Sequence, residues 1–226
     1  MAEHSSVLEL RDVRVYYDEG SLLRRRRWVA GPISFHVHEN EFVGLAGPSG
    51  SGKTSLGKAV LNLIPTWEGD IYWRGKNIRR TPLRPLRNQF GWISQEPTLA
   101  FNPRRRIIET LYETLTVSGS GECYRRLINR TCDPMNLDPA LAQRYPFELS
   151  AGQVQRFALV RVLMLEPRFL LLDEPTSSLD PMNQAQILEH ILEWRRSYGL
   201  AALIIAHSQR LLTHMCDRIL KLDNRS

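Results

Sequence analysis

The chain has 226 residues, 42 % of them hydrophobic and 24 % charged, a composition of folded globular proteins rather than fibrous or disordered ones. That length suits one large domain, or a domain with an inserted lobe, and not two full-size independent domains. Thirty Lys and Arg against 24 Asp and Glu leave a formal charge of +6, which favours an anionic partner such as a nucleotide, a nucleic acid or a membrane surface.

A bilayer-spanning helix needs ~20 mostly apolar residues in a row, and runs such as Leu200 to Ala206 fall far short. Cys123, Cys132 and Cys216 show no C-x-x-C spacing, which argues against a disulfide framework or a zinc site and suits a reducing cytosol. The start, Met1-Ala-Glu-His-Ser-Ser, has neither the basic n-region nor the apolar core of a signal peptide; an intracellular protein is expected. No repeat at a period of ~20–50 residues is present, so solenoids and propellers drop out.

In chain order, Val7 to Val15 alternates at period two and reads as a half-buried antiparallel strand. Arg24 to Arg27 read as a solvated basic turn, and Ile33 to Val37 as the returning strand. The pattern then changes to short continuous apolar runs: Phe42 to Ala46, Phe90 to Ser94, Phe169 to Leu172, Leu203 to Ala206 and Ile219 to Leu222. Such runs mark strands covered on both faces, the habit of parallel sheets in α/β proteins. Residues 97–165 carry no convincing strand and read as a helical lobe, with Ser118-Gly-Ser-Gly121 as a flexible break.

Four of these runs lead into residues able to touch phosphate, metal or water: Gly47, Gln95, Asp173 with Glu174, and His207. Open α/β sheets bind ligands beyond the carboxyl ends of their strands, so a single site at one edge of the sheet is expected. Gly47-Pro48-Ser49-Gly50-Ser51-Gly52-Lys53-Thr54 fits the P-loop pattern G-x-x-x-x-G-K-[S/T]. Its glycines let backbone N–H groups curl toward an anion, and the N-terminus of the following helix, at Thr54 and Ser55, adds partial positive charge. Lys53 would neutralise β and γ phosphate oxygens, and the Thr54 hydroxyl would bind Mg²⁺. Asp173, ending an apolar strand, suits a hard oxygen-seeking Mg²⁺ ion; Glu174, one residue on, could polarise a water for attack on the γ-phosphate.

Leu149-Ser-Ala-Gly-Gln153-Val-Gln-Arg156 resembles the signature segment of ABC-type ATPases. Asp173-Glu-Pro-Thr-Ser-Ser-Leu-Asp180 resembles that family's Walker B end running into its D-loop, Gln95 its Q-loop glutamine and His207 its switch histidine. The resemblance covers nearly the whole chain. It implies an α/β P-loop NTPase of ABC-cassette type, with a RecA-like parallel-sheet core, N-terminal antiparallel strands and an inserted helical lobe. The expected division is one domain over 1–226, with 1–96 and 166–226 as core and 97–165 as lobe.

The resemblance further implies that Tyr17, rather than Tyr16, stacks on adenine, and that Gln95 senses Mg²⁺ and the γ-phosphate. It implies that His207 holds that phosphate, and that Ser150, Gly152 and Gln153, with Asp180, serve ATP in a head-to-tail dimer. Ala151 departs from the pattern, which has glycine there, and puts the strength of ATP sandwiching in question.

The short stretch between Gln95 and Ser150 excludes the long coiled coil of DNA-repair members. Leu99-Ala-Phe-Asn-Pro-Arg104 and Arg144-Tyr-Pro-Phe-Glu-Leu-Ser150 resemble segments of peptide and nickel importer ATPases, and the basic Leu22 to Trp28 stretch suits that subclass. The end at Ser226, without a Cys-containing extension, leans toward the shorter nickel and metallophore members. Expected partners are a second, related ATPase subunit, a membrane permease and, indirectly, an extracytoplasmic solute-binding protein. No nucleic acid is expected, and the expected location is the cytoplasmic face of the plasma membrane. An exporter subunit, a scaffolding ATPase of an enzyme complex and a nucleic-acid-associated ATPase are the alternatives.

Overall fold

A computed structural model describes residues 6–19, 25–119, 124–175 and 181–222. Strands β1 (Ser6–Glu19) and β2 (Arg25–His38) form a long antiparallel ribbon, and β4 (Trp67–Trp73) and β5 (Lys76–Asn77) extend it into a sheet of order β2-β1-β4-β5. The second sheet contains β3 (Phe42–Ala46), β6 (Phe90–Ile93), β7 (Phe169–Asp173), β8 (Ala201–Ile205) and β9 (Arg218–Lys221). Its order is β6-β7-β8-β3-β9 and every pairing is parallel. The helices are α1 (Lys53–Val60), α2 (Leu83–Arg87), α3 (Ile107–Ser118), α4 (Tyr124–Cys132), α5 (Ala151–Leu163), α6 (Pro181–Tyr198) and α7 (Gln209–Met215).

The five apolar runs are the five parallel strands, with ends displaced by no more than two residues. Their side chains alternate between two cores, as period-two geometry requires. Leu170, Leu172, Ala202 and Ile204 face a core shared with α3, α4, α5 and α6. Phe169, Leu171, Leu203 and Ile205 face a core shared with α1 and the antiparallel sheet. All five residues of β7 are buried, and each large apolar side chain among them contributes roughly 1.5–3 kcal/mol by leaving water. Aromatic edges join the two sheets: Trp73 of β4 meets Phe90 of β6 at 4.7 Å and Phe169 of β7 at 6.0 Å between centroids.

One expectation needs correction. Arg25–Arg27 are not a turn but the first residues of β2, paired with Glu19, Asp18 and Tyr17 of β1. They are tolerated in a strand because this end of the ribbon is exposed and carboxylates compensate them: Arg27 bonds Glu19, and Arg26 bonds Glu68 of β4. Arg24 lies outside the described residues. At the break expected over Ser118 to Gly121, Ser118 ends α3 and Gly119 is its left-handed C-cap at φ 77°, a conformation that suits glycine; Ser120 and Gly121 lie outside the described residues.

Between residues 97 and 165 the described residues hold α3, α4, α5 and short 3₁₀ turns, and no strand. Their apolar side chains continue one core with the sheet face. Cys132 and Cys216 are free thiols, both pushed up to about 12, chiefly by burial. Among the described residues no helix is long and apolar enough to cross a membrane.

Candidate functional site

The parallel register brings the carboxyl ends of β3, β6, β7 and β8 to one side of the sheet. The chain leaves β3 through residues 47–52 and enters α1 at Lys53. Gly52 is the N-cap of α1 at φ 83°, left-handed backbone that an L side chain adopts at a cost. A Cβ there would stand 2.2 Å from the Val29 carbonyl oxygen of β2, so glycine is required on two counts. Pro48, Ser49 and Gly50 are exposed, Gly47 and Gly52 half-buried, and Ser51 buried with no hydrogen-bond partner for its hydroxyl. A buried orphan hydroxyl is costly unless a ligand or water completes it.

Lys53 is the first residue of α1 and is 6 % exposed. Its ammonium donates to the carbonyls of Gly47 and Pro48, both at 2.8 Å. Burial lowers its pKa, while Glu174 and Asp173 oppose that shift. This cation, clamped on its own loop, faces two carboxylates. One residue on, the Thr54 hydroxyl donates to Asp173 Oδ1 at 3.2 Å.

Asp173 ends β7 at 3 % exposure. Burial raises its pKa, with Glu174 adding to the effect and the Thr54 hydrogen bond and the Lys58 and Lys53 charges opposing it. A carboxylate held in that state is short of positive charge. Thr54 and Asp173 offer a hard cation two oxygens, and Mg²⁺ commonly takes only one or two protein oxygens, with water and phosphate supplying the others. The donor set fits that ion. No cluster of three or more His, Cys, Asp or Glu suited to a metal occurs among the described residues.

Glu174 follows at φ 49°, an unusual conformation for a residue with a side chain. Its N–H donates to the Ile205 carbonyl at 2.9 Å, which ties the end of β7 to the end of β8. Two residues past β8, His207 Nε2 lies 2.9 Å from Glu174 Oε1. Beyond β6, Gln95 lines a cavity of about 390 Å³ together with Thr54, Asp173, Lys58 and Arg161. Lys53, Thr54, Gln95, Asp173, Glu174 and His207 therefore form one constellation at the strand ends.

Tyr17 lies near the exposed end of β1, its hydroxyl 2.9 Å from the hydroxyl of Ser55 in α1. Tyr16 points to the other face of the ribbon. It meets Trp28 edge-on at 5.3 Å and carries the Arg26 guanidinium 4.4 Å above its ring. Of these two tyrosines, Tyr17 is thus the one beside the P-loop helix.

Ser150, Gly152 and Gln153 form the start of α5. Ser150 is its N-cap: the Ser150 hydroxyl accepts from the Gln153 N–H at 3.2 Å, and the Gln153 side chain accepts from the Ser150 N–H at 2.9 Å. Among the described residues no hydrogen bond joins these three to the P-loop, so one chain does not unite all the expected groups. Ala151 is the first helical residue and is not among those with positive φ; its Cβ therefore adds no backbone strain. Asp180 lies outside the described residues.

Arg161 of α5 belongs to none of the sequence motifs, and a single basic residue carries no local signal of burial. It is half-buried, its Nε has no hydrogen-bond partner and burial alone lowers its pKa. It lines both the Gln95 cavity and a neighbouring one of about 540 Å³ bounded by Arg87, Arg105 and Val117.

Comparison with known proteins agrees with this geometry. The family model described as ABC transporter matches residues 30–177. A Brucella ovis protein, by name a peptide import ATP-binding protein, is 37 % identical over 195 residues, covering 84 % of this chain and 62 % of the relative. The oligopeptide transport ATP-binding protein OppF of Salmonella typhimurium is 31 % identical over 229 residues, 95 % of this chain and 68 % of that one. The chain thus spans less than two thirds of the length of the first of these relatives. Among solved structures, the dimeric bacterial ABC transporter cassette MJ0796 matches with TM-score 0.84 at 24 % identity, over 96 % of this chain and 94 % of that one. MJ0796 in a post-hydrolysis state bound to ADP and phosphate matches equally well, at 23 % identity. The α/β P-loop cassette fold is shared with these structures, and with a family model over more than half its length, the chain belongs to the ABC transporter family.

Proposed function

We propose that this chain binds and hydrolyses Mg-ATP and energises a peptide importer through a separate membrane permease. The observation that carries the chemistry is the run of contacts from Lys53 and Thr54 through Asp173 and Glu174 to His207. The backbone of residues 47–52 and the start of α1 would cradle the β and γ phosphates, with Lys53 turning from its own carbonyls toward them. Thr54 and Asp173 would hold Mg²⁺, with Gln95 beside them; the ion's chemistry is to offset charge on the phosphate oxygens.

Glu174 is placed to accept a proton from a water as its oxygen forms a bond to the γ-phosphorus. The bond from that phosphorus to the bridging oxygen breaks, leaving ADP and inorganic phosphate. His207 orients Glu174 and can donate to a γ-phosphate oxygen, and Tyr17 would stack on adenine. Ser150, Gly152 and Gln153 form a helix start that is exposed at Ser150 and half-buried at Gly152 and Gln153, with no P-loop partner among the described residues, which supports contact with ATP on a second cassette. That dimer is read here as one of two related chains.

The names of the Brucella ovis and Salmonella typhimurium relatives favour peptides over nickel or metal chelates as cargo. Residues 97–165 form the lobe and the remainder the core of a single cassette, a reading supported by the apolar core continuous between them. The cavity between lobe and core, with Gln95 and Arg161 on its walls, is the expected permease contact at the cytoplasmic face of the membrane. Copurification from native membranes tests the transport reading: permease chains and a second ATPase subunit should be recovered. Recovery of soluble metabolic enzymes without a permease would replace it with a scaffolding role, and nucleic acid that stimulates turnover would replace it with a nucleic-acid-bound one.

A further inference from the structure

Glu174 would be poorly placed by its own backbone preferences. Its φ of 49° lies where side-chain-bearing residues are uncommon, and such a conformation persists only where the surroundings over-determine it. On one side it is fixed by its own N–H, which donates to the Ile205 carbonyl at 2.9 Å. The next residue, Pro175, has no N–H, and its carbonyl ties the other side. That carbonyl accepts a hydrogen bond from Nε2 of Gln155.

Gln155 lies on α5 and is 2 % exposed. It sits five residues beyond the N-cap Ser150, about 7.5 Å along a helix. The same rigid turns join it to Gly152 and Gln153, with the Val154 N–H bonded to the Ser150 carbonyl at 3.0 Å. A buried neutral amide is suited to this tie, since it offers a donor without a charge to desolvate.

We infer that Gln155 is a positioning residue: by holding the Pro175 carbonyl it sets the Glu174 carboxylate, and it couples that carboxylate to the start of α5. Ligation of the α5 N-terminus by a phosphate is thereby transmitted to the chain's own water-activating group. This rests on the reading of Glu174 as the proton acceptor. Among the described residues, the charged groups nearest the tie in sequence are Asp173 at the end of β7, Glu174 after it and Arg156 on α5, with His207 beyond β8 in contact with Glu174.

The test compares steady-state ATP hydrolysis by the purified full chain with that of Gln155→Leu, Gln155→Glu and Glu174→Gln. Gln155→Leu keeps the volume and loses the donor; kcat should fall on the order of 10–100-fold, the scale of a misplaced reacting group, while KM for ATP stays within about twofold. Gln155→Glu is nearly isosteric, and its side chain can donate to Pro175 only when protonated. Burial raises such a carboxyl above its ordinary pKa of about 4.3. Its kcat relative to wild type should therefore be high at acid pH and fall as pH rises through that raised value, whereas the ratio for Gln155→Leu stays flat.

A merely structural role would lower melting temperature and turnover together without that pH signature. Wild-type kcat in Gln155→Leu, or a pH-independent ratio for Gln155→Glu, would overturn the inference while Glu174→Gln remains inactive. Full turnover by Glu174→Gln would instead remove the catalytic reading beneath it, and this inference with it.

Discussion

Gly52→Ala and Gly50→Ala separate the two reasons the P-loop needs glycine. Both positions have nearly the same backbone, φ 83° and 79°, but an added Cβ meets the Val29 carbonyl oxygen at 2.2 Å at the first and nothing within 4 Å at the second. Left-handed backbone costs a residue with a Cβ roughly 1–2 kcal/mol, and both variants bear it. At Gly52 the contact must also open to about 3.0 Å, the lower limit of real Cβ contacts, so β2 and the start of α1 must part by roughly 0.8 Å. Overpacking of this kind costs a further ~1–3 kcal/mol. The total for Gly52→Ala is about 2–5 kcal/mol, divided between fold and nucleotide site.

Because the displaced backbone is the one that would cradle phosphate, nucleotide affinity should suffer with stability. Titration with a fluorescent ATP analogue and urea denaturation, both on each variant, read the two shares. Summed over the two assays, Gly52→Ala should lose about 1–3 kcal/mol more than Gly50→Ala. Equal losses, or a Gly52→Ala variant that binds and unfolds like wild type, would refute the argument from Val29.

The remaining predictions follow from the same site. Asp173→Asn should raise the melting temperature of the nucleotide-free protein while weakening Mg²⁺-dependent nucleotide binding. Burial lifts the Asp173 pKa above its unfolded value, so ionised Asp173 costs stability that the amide does not. The stabilisation should be full above the raised pKa and fade as pH falls through it toward the unfolded value of about 3.9, and melts across pH that showed the opposite slope would contradict it. Tyr17→Ala should weaken ATP binding by about 1–3 kcal/mol, the worth of an aromatic stacked on a base. Tyr17→Phe, which loses only the 2.9 Å contact with Ser55, should stay close to wild type; calorimetric titration of both decides whether the ring or the hydroxyl matters.

The parallel sheet was legible because a strand buried on both faces has to be continuously apolar, as Phe169 to Leu172 are. The P-loop was legible because its residue types answer to local backbone needs, seen at Gly52. Strands β4 and β5 were not anticipated. In β4, Trp67, Ile71 and Trp73 are buried, but Gly69 at φ 88° and a register shift opposite Arg11 and Arg14 interrupt the apolar alternation. Arg25–Arg27 were misread because cross-strand carboxylates, invisible to a local window, make three arginines acceptable in a strand. The tie from Gln155 to Pro175 was hidden for a related reason: both residues stood inside recognised motifs, but their contact spans 20 positions. The convergence of Gln95, Asp173, Glu174 and His207 was readable from strand ends alone, whereas the separation of Ser150, Gly152 and Gln153 from the P-loop required the fold.

The central claim is that Glu174 accepts the proton from water at a bound Mg-ATP. It is tested most directly by measuring phosphate release and ATP binding on the same preparations of wild type and Glu174→Gln. Wild type should turn over; Glu174→Gln should bind ATP with similar affinity and release phosphate about 10²–10⁴-fold more slowly, the usual contribution of a general base. Phosphate release at the wild-type rate by Glu174→Gln, with binding intact, would contradict the account.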